Sequence, residues 1–429
     1  MSDICISPSA VFGRVSAPPS KSDVHRAIIC ASLAKGKSRI SPVALSQDIL
    51  ATIDCIKALG AQIQLDGSGI IVDSTKINTT EKAEMMCRES GSTLRFLIPV
   101  AASLGVNAVF TGKGRLPQRP IGVFTDILPK HNVECITNGG LPFEIKGRLT
   151  SGRFEVPGDI SSQFITGLLF ALPLLDGDSV ISLTTPLQSQ GYINMTLDVM
   201  KSFGIDVKYN DNEFFVKGGQ KYIPHDYTTE GDWSQAAFFM VGGAIGGSAT
   251  VCGVRKNTYQ GDKKIAELLE QFGAKLEQSD DTVTVSKGEL KGIDIDVSQI
   301  PDLVPILSVC ACFAKGKTHI YNAGRVRLKE SDRLTAIANA LNACGGNVTE
   351  EPEGLIIEGV PSLKGGFADG CNDHRIVMSM AIAALCSEEG ITISDKESIT
   401  KSYDNFFDDL ICIKWKVESG NIENFKLHT

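Results

Sequence analysis

Long apolar runs are missing from this chain. The longest, Phe164 to Leu175, is too short to cross a bilayer. The opening residues Met1-Ser2-Asp3-Ile4-Cys5-Ile6 lack the basic and apolar regions of a secretory leader. A cytoplasmic protein that does not engage membranes is the expectation. Histidine is scarce, with six in 429 residues and none at metal-ligand spacing. The twelve cysteines include no CxxC. Most, such as Cys30, Cys55, Cys344, Cys386 and the pair Cys310 and Cys312, stand in apolar surroundings, which reads as reduced buried thiols and neither a disulfide framework nor a metal centre. An excess of positive charge is also lacking. The net charge of −8 argues against general nucleic-acid binding, although a local basic site within an acidic surface remains compatible with it.

What is present is a repeat. At intervals of about 70 residues an apolar helix opens on small polar or charged residues. The openings read Ser22-Asp23-Val24-His25-Arg26, Ser92-Thr93-Leu94-Arg95, Ser162-Gln163-Phe164, Ser234-Gln235-Ala236, Asp302-Leu303-Val304 and His374-Arg375-Ile376. The helix bodies, for example Ala27 to Ala34 and Ile376 to Ile382, have no polar face and are therefore expected to be buried. Each is followed by a short strand and then an amphipathic helix that commonly closes on glycine, as at Gly60, Gly204, Gly273 and Gly345. Hairpins turning at Asp66-Gly67, Asn138-Gly139, Asp211-Asn212, Asp280-Asp281 and Glu353-Gly354 complete each unit.

Two helices and about four strands per unit, with the apolar helices inside, imply an α/β fold of inverted layering. The sixth copy is cut short after Ile411 to Val417. The segment Gly13-Arg14-Val15-Ser16-Ala17-Pro18 parallels Gly152-Arg153-Phe154-Glu155-Val156-Pro157 and is expected to supply its missing strand. On that basis residues 20–230 form a central domain of three repeats. Residues 1–19 with 231–429 form a discontinuous second one, joined by a double hinge near Pro19 and Glu230.

The charged residues cluster at the helix openings. A helix N-terminus has free N–H groups and about half a positive charge, and so attracts anions. Lys21, Arg26, Arg95, Arg119, Lys329, Arg333, Arg375 and Lys401 are cations at or near such ends, where they do not stabilise the helix itself. Taken singly, Ser22, Ser92, Ser161 and Ser162 read as N-caps, and a lone arginine as a solvated or ion-paired surface residue. Recurrence at equivalent places in a repeat favours a shared site for a multiply anionic ligand. Among so many cations the carboxylate of Asp302, read singly as a cap, could also accept a proton.

The ordered set Pro19-Ser20-Lys21-Ser22 with Arg26, Ser90-Gly91-Ser92-Thr93-Leu94-Arg95, Gln118-Arg119-Pro120, Ser161-Ser162-Gln163, Glu230-Gly231-Asp232, Ile300-Pro301-Asp302, Lys329-Glu330-Ser331-Asp332-Arg333, Asn372-Asp373-His374-Arg375 and Lys401 resembles the EPSP synthase family, the 3-phosphoshikimate 1-carboxyvinyltransferases. The resemblance covers essentially the whole chain. It implies two inside-out α/β domains of three repeats each, with the active site in the cleft between them. It also implies transfer of the enolpyruvyl group of phosphoenolpyruvate to the 5-hydroxyl of shikimate 3-phosphate, with release of phosphate.

By the same resemblance Lys21, Ser22, Arg26, Ser161, Ser162, Gln163, Ser189, Asp302, Arg325 and Lys329 would bind shikimate 3-phosphate. Lys21, Gly91, Arg119, Gln163, Arg333, Arg375 and Lys401 would bind phosphoenolpyruvate. Asp302 would take the hydroxyl proton, and Glu330 with Lys21 would handle protonation of the methylene carbon. The partners implied are small molecules acting on a monomer, with no cofactor and no metal. The sequence departs from the commoner family pattern at Glu89, where asparagine is frequent, at Phe96, where proline is frequent, and at Arg325, where asparagine is frequent.

Two alternatives frame this reading. The sister enolpyruvyl transferase acting on UDP-N-acetylglucosamine has Lys-Asn where this chain has Lys21-Ser22, and usually a cysteine in the loop that here runs Gly112 to Arg119 without one. A ring-shaped DNA-binding clamp would carry its cations along helix faces; here the inner helix bodies are apolar.

Overall fold

The computed structural model describes residues 2–77 and 81–415. Six inner helices follow the six openings: Lys21–Leu33, Gly91–Leu104, Ser162–Ala171, Trp233–Gly246, Val304–Cys312 and His374–Leu385. They are buried nearly all round, as helices without a polar stripe must be; every residue from Asp23 to Leu33 is buried, as is every residue from Gln235 to Ile245. The fifth begins one turn early, with a tight turn at Pro301–Leu303 ahead of the α-helix.

Outside the helices lie short sheets of repeated topology. In the third unit the spatial order is Arg153–Val156, Ser179–Leu183, Glu213–Val216, Val207–Asn210. The first pair is parallel and the others antiparallel. A parallel pair requires a crossover, and the inner helix Ser162–Ala171 lies in it. The second and fifth units repeat this order.

The remaining units complete their sheets with strands from far along the chain. Tyr227–Thr228 pairs in parallel with Ile40 and Ser41 of the first unit. Ala10–Ser16 pairs in parallel with Gly247–Cys252 of the fourth. Ile4–Ile6 pairs antiparallel with Ile391–Ile393 of the sixth. This corrects the expectation for Gly13 to Pro18. That segment does play the part of Gly152 to Pro157, but it precedes the helix of the fourth unit in space and leaves the sixth to Ile4–Ile6. The likeness of the two segments identifies their role in a unit, and not which unit receives them.

Two hydrophobic clusters form. One runs from Val24 to Tyr222; the other gathers Ile6, Val11 and Val15 with residues from Trp233 to Ile413. The backbone passes between them twice, at neighbouring points. Pro19 and Gly231 form an antiparallel bridge, Ser20 N–H donates to the Glu230 carbonyl at 2.7 Å, and Asp232 N–H to the Pro18 carbonyl at 2.8 Å.

Within the first cluster, Pro99 sits inside the helix Gly91–Leu104. Proline has no N–H for the carbonyl four residues back, which here belongs to Arg95. Gly167 packs against that carbonyl so closely that a Cβ would overlap it, and would lie 2.9 Å from Pro99 Cγ. The second and third inner helices are thereby drawn together, which sets Arg95 beside Gln163.

Candidate active site

One cavity is lined by residues from all six helix openings: Lys21 and Ser22, Gly91 and Ser92, Ser161 to Gln163, Asp232 and Ser234, Asp302, and His374 with Arg375. Arg26, Arg95, Arg119, Ser189, Tyr192, Arg325, Lys329, Glu330 and Arg333 complete most of its polar wall. Eight cationic side chains thus face four carboxylates, those of Asp48, Asp232, Asp302 and Glu330.

Capping accounts for only part of the hydroxyl and carboxylate set. Ser90 Oγ accepts from Thr93 N–H at 3.2 Å, Ser161 Oγ from Gln163 N–H at 3.3 Å, Asp232 Oδ1 from Gln235 N–H at 3.0 Å, and Asp373 Oδ1 from Arg375 N–H at 2.9 Å. Ser22, Ser92 and Ser162 stand inside their helices and line the cavity. Asp302 makes no capping bond.

Gln163 is held at both ends. Its Oε1 accepts from Arg95 Nη1 at 2.8 Å, and its Nε2 donates to Ser92 Oγ at 3.0 Å. Gly91 leaves room for two guanidiniums; a Cβ there would lie 2.8 Å from Arg95 Nη1 and 2.9 Å from Arg119 Cζ. Arg26 donates to Thr196 Oγ1 at 2.9 Å and to the carbonyls of Ser22 and Tyr192, with its guanidinium 5.3 Å from the Phe96 ring centre.

The second half of the chain contributes a buried ion cluster. Arg333 bonds Asp302 Oδ1 at 2.9 Å, Glu330 Oε2 at 2.7 Å and Asp373 Oδ2 at 2.8 Å. Asp302 also meets Arg375 at 3.2 Å and Lys329 at 3.5 Å, and accepts from the Tyr192 hydroxyl at 3.0 Å. Burial pushes the Asp302 carboxyl up, but Arg375, Lys329 and Arg333 more than reverse this and hold it well below the usual carboxylate range. For Glu330 burial likewise raises, and Arg333 and Arg119 overcome it, to a value well below normal. Burial brings the Lys329 ammonium down to about 8 against the pull of Asp302. Truncating one member of such a buried cluster leaves an unpaired charge, at a cost of about 3–5 kcal/mol.

Several contacts join the two halves of the chain. Arg119 Nη1 lies 3.4 Å from Glu330 Oε1, Lys21 N–H donates to Asp232 Oδ2 at 3.0 Å, and Arg325 Nη2 donates to Ser189 Oγ at 2.7 Å. Ser189 itself has φ +56°, a left-handed backbone that turns its hydroxyl out of the N-cap role; it makes no capping bond. Lys21 Nζ pairs with Asp48 Oδ2 at 2.8 Å.

All but one of the residues named from the sequence line this cavity. The exception, Lys401, lies outside the lining; its ammonium bonds Glu89 Oε2 at 2.9 Å and the Asn372 carbonyl at 2.7 Å. Sequence reasoning missed Tyr192 and Asp48, and quoted Asp373 only within a motif, without its role as the partner of Arg333. Tyr192 lies three residues past Ser189 in an amphipathic helix, with no motif to mark it. Asp48 reads as an ordinary first-turn acid of its helix. All twelve cysteines are free. Among the described residues no group of three or more His, Cys, Asp or Glu is placed to hold a metal ion, and no helix is long and apolar enough to cross a membrane.

The fold that brings helix ends from six repeats to one cavity is shared with solved enolpyruvyl transferases. NikO from Streptomyces tendae superposes with a TM-score of 0.79 over 95% of this chain and 96% of that one, at 16% identity, a likeness of fold alone. EPSP synthase from Acinetobacter baumannii superposes with a TM-score of 0.80 at 26% identity, covering 96% of this chain and 98% of that one. The family model described as EPSP synthase (3-phosphoshikimate 1-carboxyvinyltransferase) matches residues 6–410. The 3-phosphoshikimate 1-carboxyvinyltransferase of Clostridium perfringens is 44% identical over 95% of this chain and 97% of its own length. That of Clostridium kluyveri is 42% identical over 98% and 100%. The chain belongs to the EPSP synthase family.

Proposed function

We propose that this protein transfers the enolpyruvyl group of phosphoenolpyruvate to the 5-hydroxyl of shikimate 3-phosphate and releases phosphate. The observation that carries the reading is the single cavity in which eight cations from both halves of the chain face four carboxylates. The two substrates together bring two phosphates and two carboxylates, which such a cation surplus can hold side by side. Residues 20–230 and residues 1–19 with 231–429 act as two domains closing on this cleft.

Shikimate 3-phosphate is assigned to Lys21, Ser22, Arg26, Ser161, Ser162, Gln163, Ser189, Asp302, Arg325 and Lys329. Phosphoenolpyruvate is assigned to Lys21, Gly91, Arg119, Gln163, Arg333, Arg375 and Lys401. Holding the two together replaces a bimolecular encounter by a fixed geometry. Protonation of the methylene develops positive character on C2, which the 5-oxygen attacks to give a tetrahedral adduct. The adduct then loses a proton from its methyl group and breaks the C2–O bond to phosphate, restoring the enol ether, while the cations hold the phosphate and carboxylate groups throughout. Asp302 takes the hydroxyl proton; Glu330, which can take up a proton once the substrate anions engage Arg333 and Arg119, acts with Lys21 to protonate the methylene carbon.

With three cations and a phenol around it, Asp302 is a weak base in the unliganded cleft. Arg333, Arg375 and Lys329 are the groups assigned to ligand anions. As phosphate and carboxylate draw them away, Asp302 loses its counter-charges and its basicity rises. The proton acceptor therefore becomes effective only when the substrates are in place.

A phosphate-release assay with both substrates tests the proposal. Release that requires both is expected. Turnover of UDP-N-acetylglucosamine in place of shikimate 3-phosphate would overturn it. The protein acts on small molecules as a monomer, without cofactor or metal, in the cytoplasm.

A further inference from the structure

Of the cations assigned to ligands, Lys401 alone is missing from the cavity lining. It is 7% exposed, and its ammonium is held by Glu89 Oε2 at 2.9 Å and the Asn372 carbonyl at 2.7 Å. Glu89 belongs to the first half of the chain and Lys401 to the second, so this pair too joins the halves. Gly114 leaves room for that same carboxylate oxygen. Gly114 has φ +58° and no side chain, and a Cβ there would overlap the Glu89 carboxylate.

Glu89 also stands immediately before Ser90, the N-cap of the helix Gly91–Leu104, whose first turn lines the cavity. A carboxylate at that place is favoured by the helix end. The Glu89 carboxylate occupies an ammonium that a ligand anion would otherwise use. Asp302, Glu330 and Asp48 line the cavity beside the cations they pair with; Glu89, like Lys401, does not.

A cleft with so many cations has a second requirement besides binding. Inorganic phosphate, the small dianionic product, must leave it. We propose that Glu89 is a positioning residue that competes with phosphate for Lys401, weakening the hold of the cleft on phosphoenolpyruvate and easing departure of the product phosphate. The inference rests on the enolpyruvyl-transfer reading above. As the phosphoryl group arrives, Lys401 exchanges Glu89 for it; as phosphate leaves, Glu89 recaptures the ammonium.

Glu89→Gln preserves shape and removes the charge. Calorimetry with inorganic phosphate on the full chain, in the presence of shikimate 3-phosphate, reads the effect directly. Binding about 1.5- to fivefold tighter is expected, the range of a partly exposed ion pair. KM for phosphoenolpyruvate should fall, and product inhibition by phosphate should strengthen by a similar factor. Unchanged or weaker phosphate binding overturns the proposal. So does a gain that persists when Lys401→Met is added, because the helix end and not Lys401 would then be responsible. If the glutamine variant does not fold, Lys401→Met alone should weaken phosphate binding, and unchanged affinity overturns the proposal. Failure of the wild-type protein to release phosphate from its two substrates would sink the functional reading itself. The calorimetric comparison stands apart from turnover and reports on the Glu89–Lys401 pair alone.

Discussion

The Tyr192 hydroxyl donates to Asp302 Oδ2 at 3.0 Å, joining the two halves of the chain at the proposed proton acceptor. Burial, with the charges of Asp262 and Asp302, pushes the phenol well above its ordinary value, so it stays a neutral donor. A hydrogen bond to a charged group contributes about 1.5–3 kcal/mol. Because that bond positions Asp302 but also lowers its basicity, Tyr192→Phe is expected to change kcat by less than the full bond strength, at most about tenfold. Its loss also removes a bond that favours the ionised carboxylate, so the acid limb of the kcat profile should move to higher pH. An unmoved limb would show that Tyr192 does not act through Asp302.

Asp302→Asn separates catalysis from binding. The amide cannot take the hydroxyl proton, and a kcat lower by about 10²–10⁴-fold is expected. Arg333, Arg375 and Lys329 lose a shared counter-charge, so substrate anions should bind as well as before or better. The empty variant should melt earlier than wild type, with shikimate 3-phosphate restoring part of the difference. Near-normal turnover would remove Asp302 as the acceptor.

The inner helices were legible because they lack a polar face, and the hairpins because Asp-Gly and Asn-Gly turns mark them. Cavity-lining cations such as Lys21 and Arg375 were legible because a cation at a helix start runs against helix preference. Tyr192 and Asp48 were not. Their spacing is that of ordinary amphipathic helices, and only the folding of distant segments together makes them polar neighbours of Asp302 and Lys21. The edge strands illustrate the same limit. Tyr227–Thr228 and Ala10–Ser16 complete sheets whose other strands lie far away in the sequence, and local pattern carries no record of which sheet receives them.

His25 offers a pH test of the buried interior. Its Nδ1 lies 2.7 Å from Thr52 Oγ1, which lies 2.7 Å from Thr93 Oγ1, while Nε2 is buried without a partner. Burial, then the charges of Lys21 and Arg26, keep the ring well below its ordinary titration range. The folded protein therefore stays unprotonated at His25 while the unfolded chain takes up a proton below about pH 6.5. Stability from this site is full above that pH and declines as pH falls. His25→Asn should be destabilised most at pH 8, and its deficit against wild type should shrink by about 2 kcal/mol on going to pH 5. Denaturant unfolding at the two pH values measures this. A constant deficit would mean that the ring titrates alike in the folded and unfolded protein.

The two-domain proposal predicts motion. Among the described residues no hydrophobic cluster spans both halves; the contacts between the halves include Arg119–Glu330, Arg325–Ser189, Tyr192–Asp302, Lys401–Glu89 and the Gln190 N–H to Gln299 Oε1 at 2.8 Å. These are polar contacts that water can replace once the cleft begins to part, and salt then screens the separated charges, so opening carries little hydrophobic cost. The paired crossings at Pro19 and Gly231 would let the halves swing about one place. Substrate anions act in the opposite sense, because they bind Lys21 and Arg119 of one half together with Lys329, Arg333 and Arg375 of the other. Without ligand the open form should be populated in solution, increasingly so at high salt. Shikimate 3-phosphate should then lower the radius of gyration measured by small-angle scattering, and phosphoenolpyruvate or inorganic phosphate added to that complex should lower it further. A radius that is the same with and without ligand, at low salt and at high, would show that the halves form one rigid body and would shift the burden of excluding water onto the loops around the cleft.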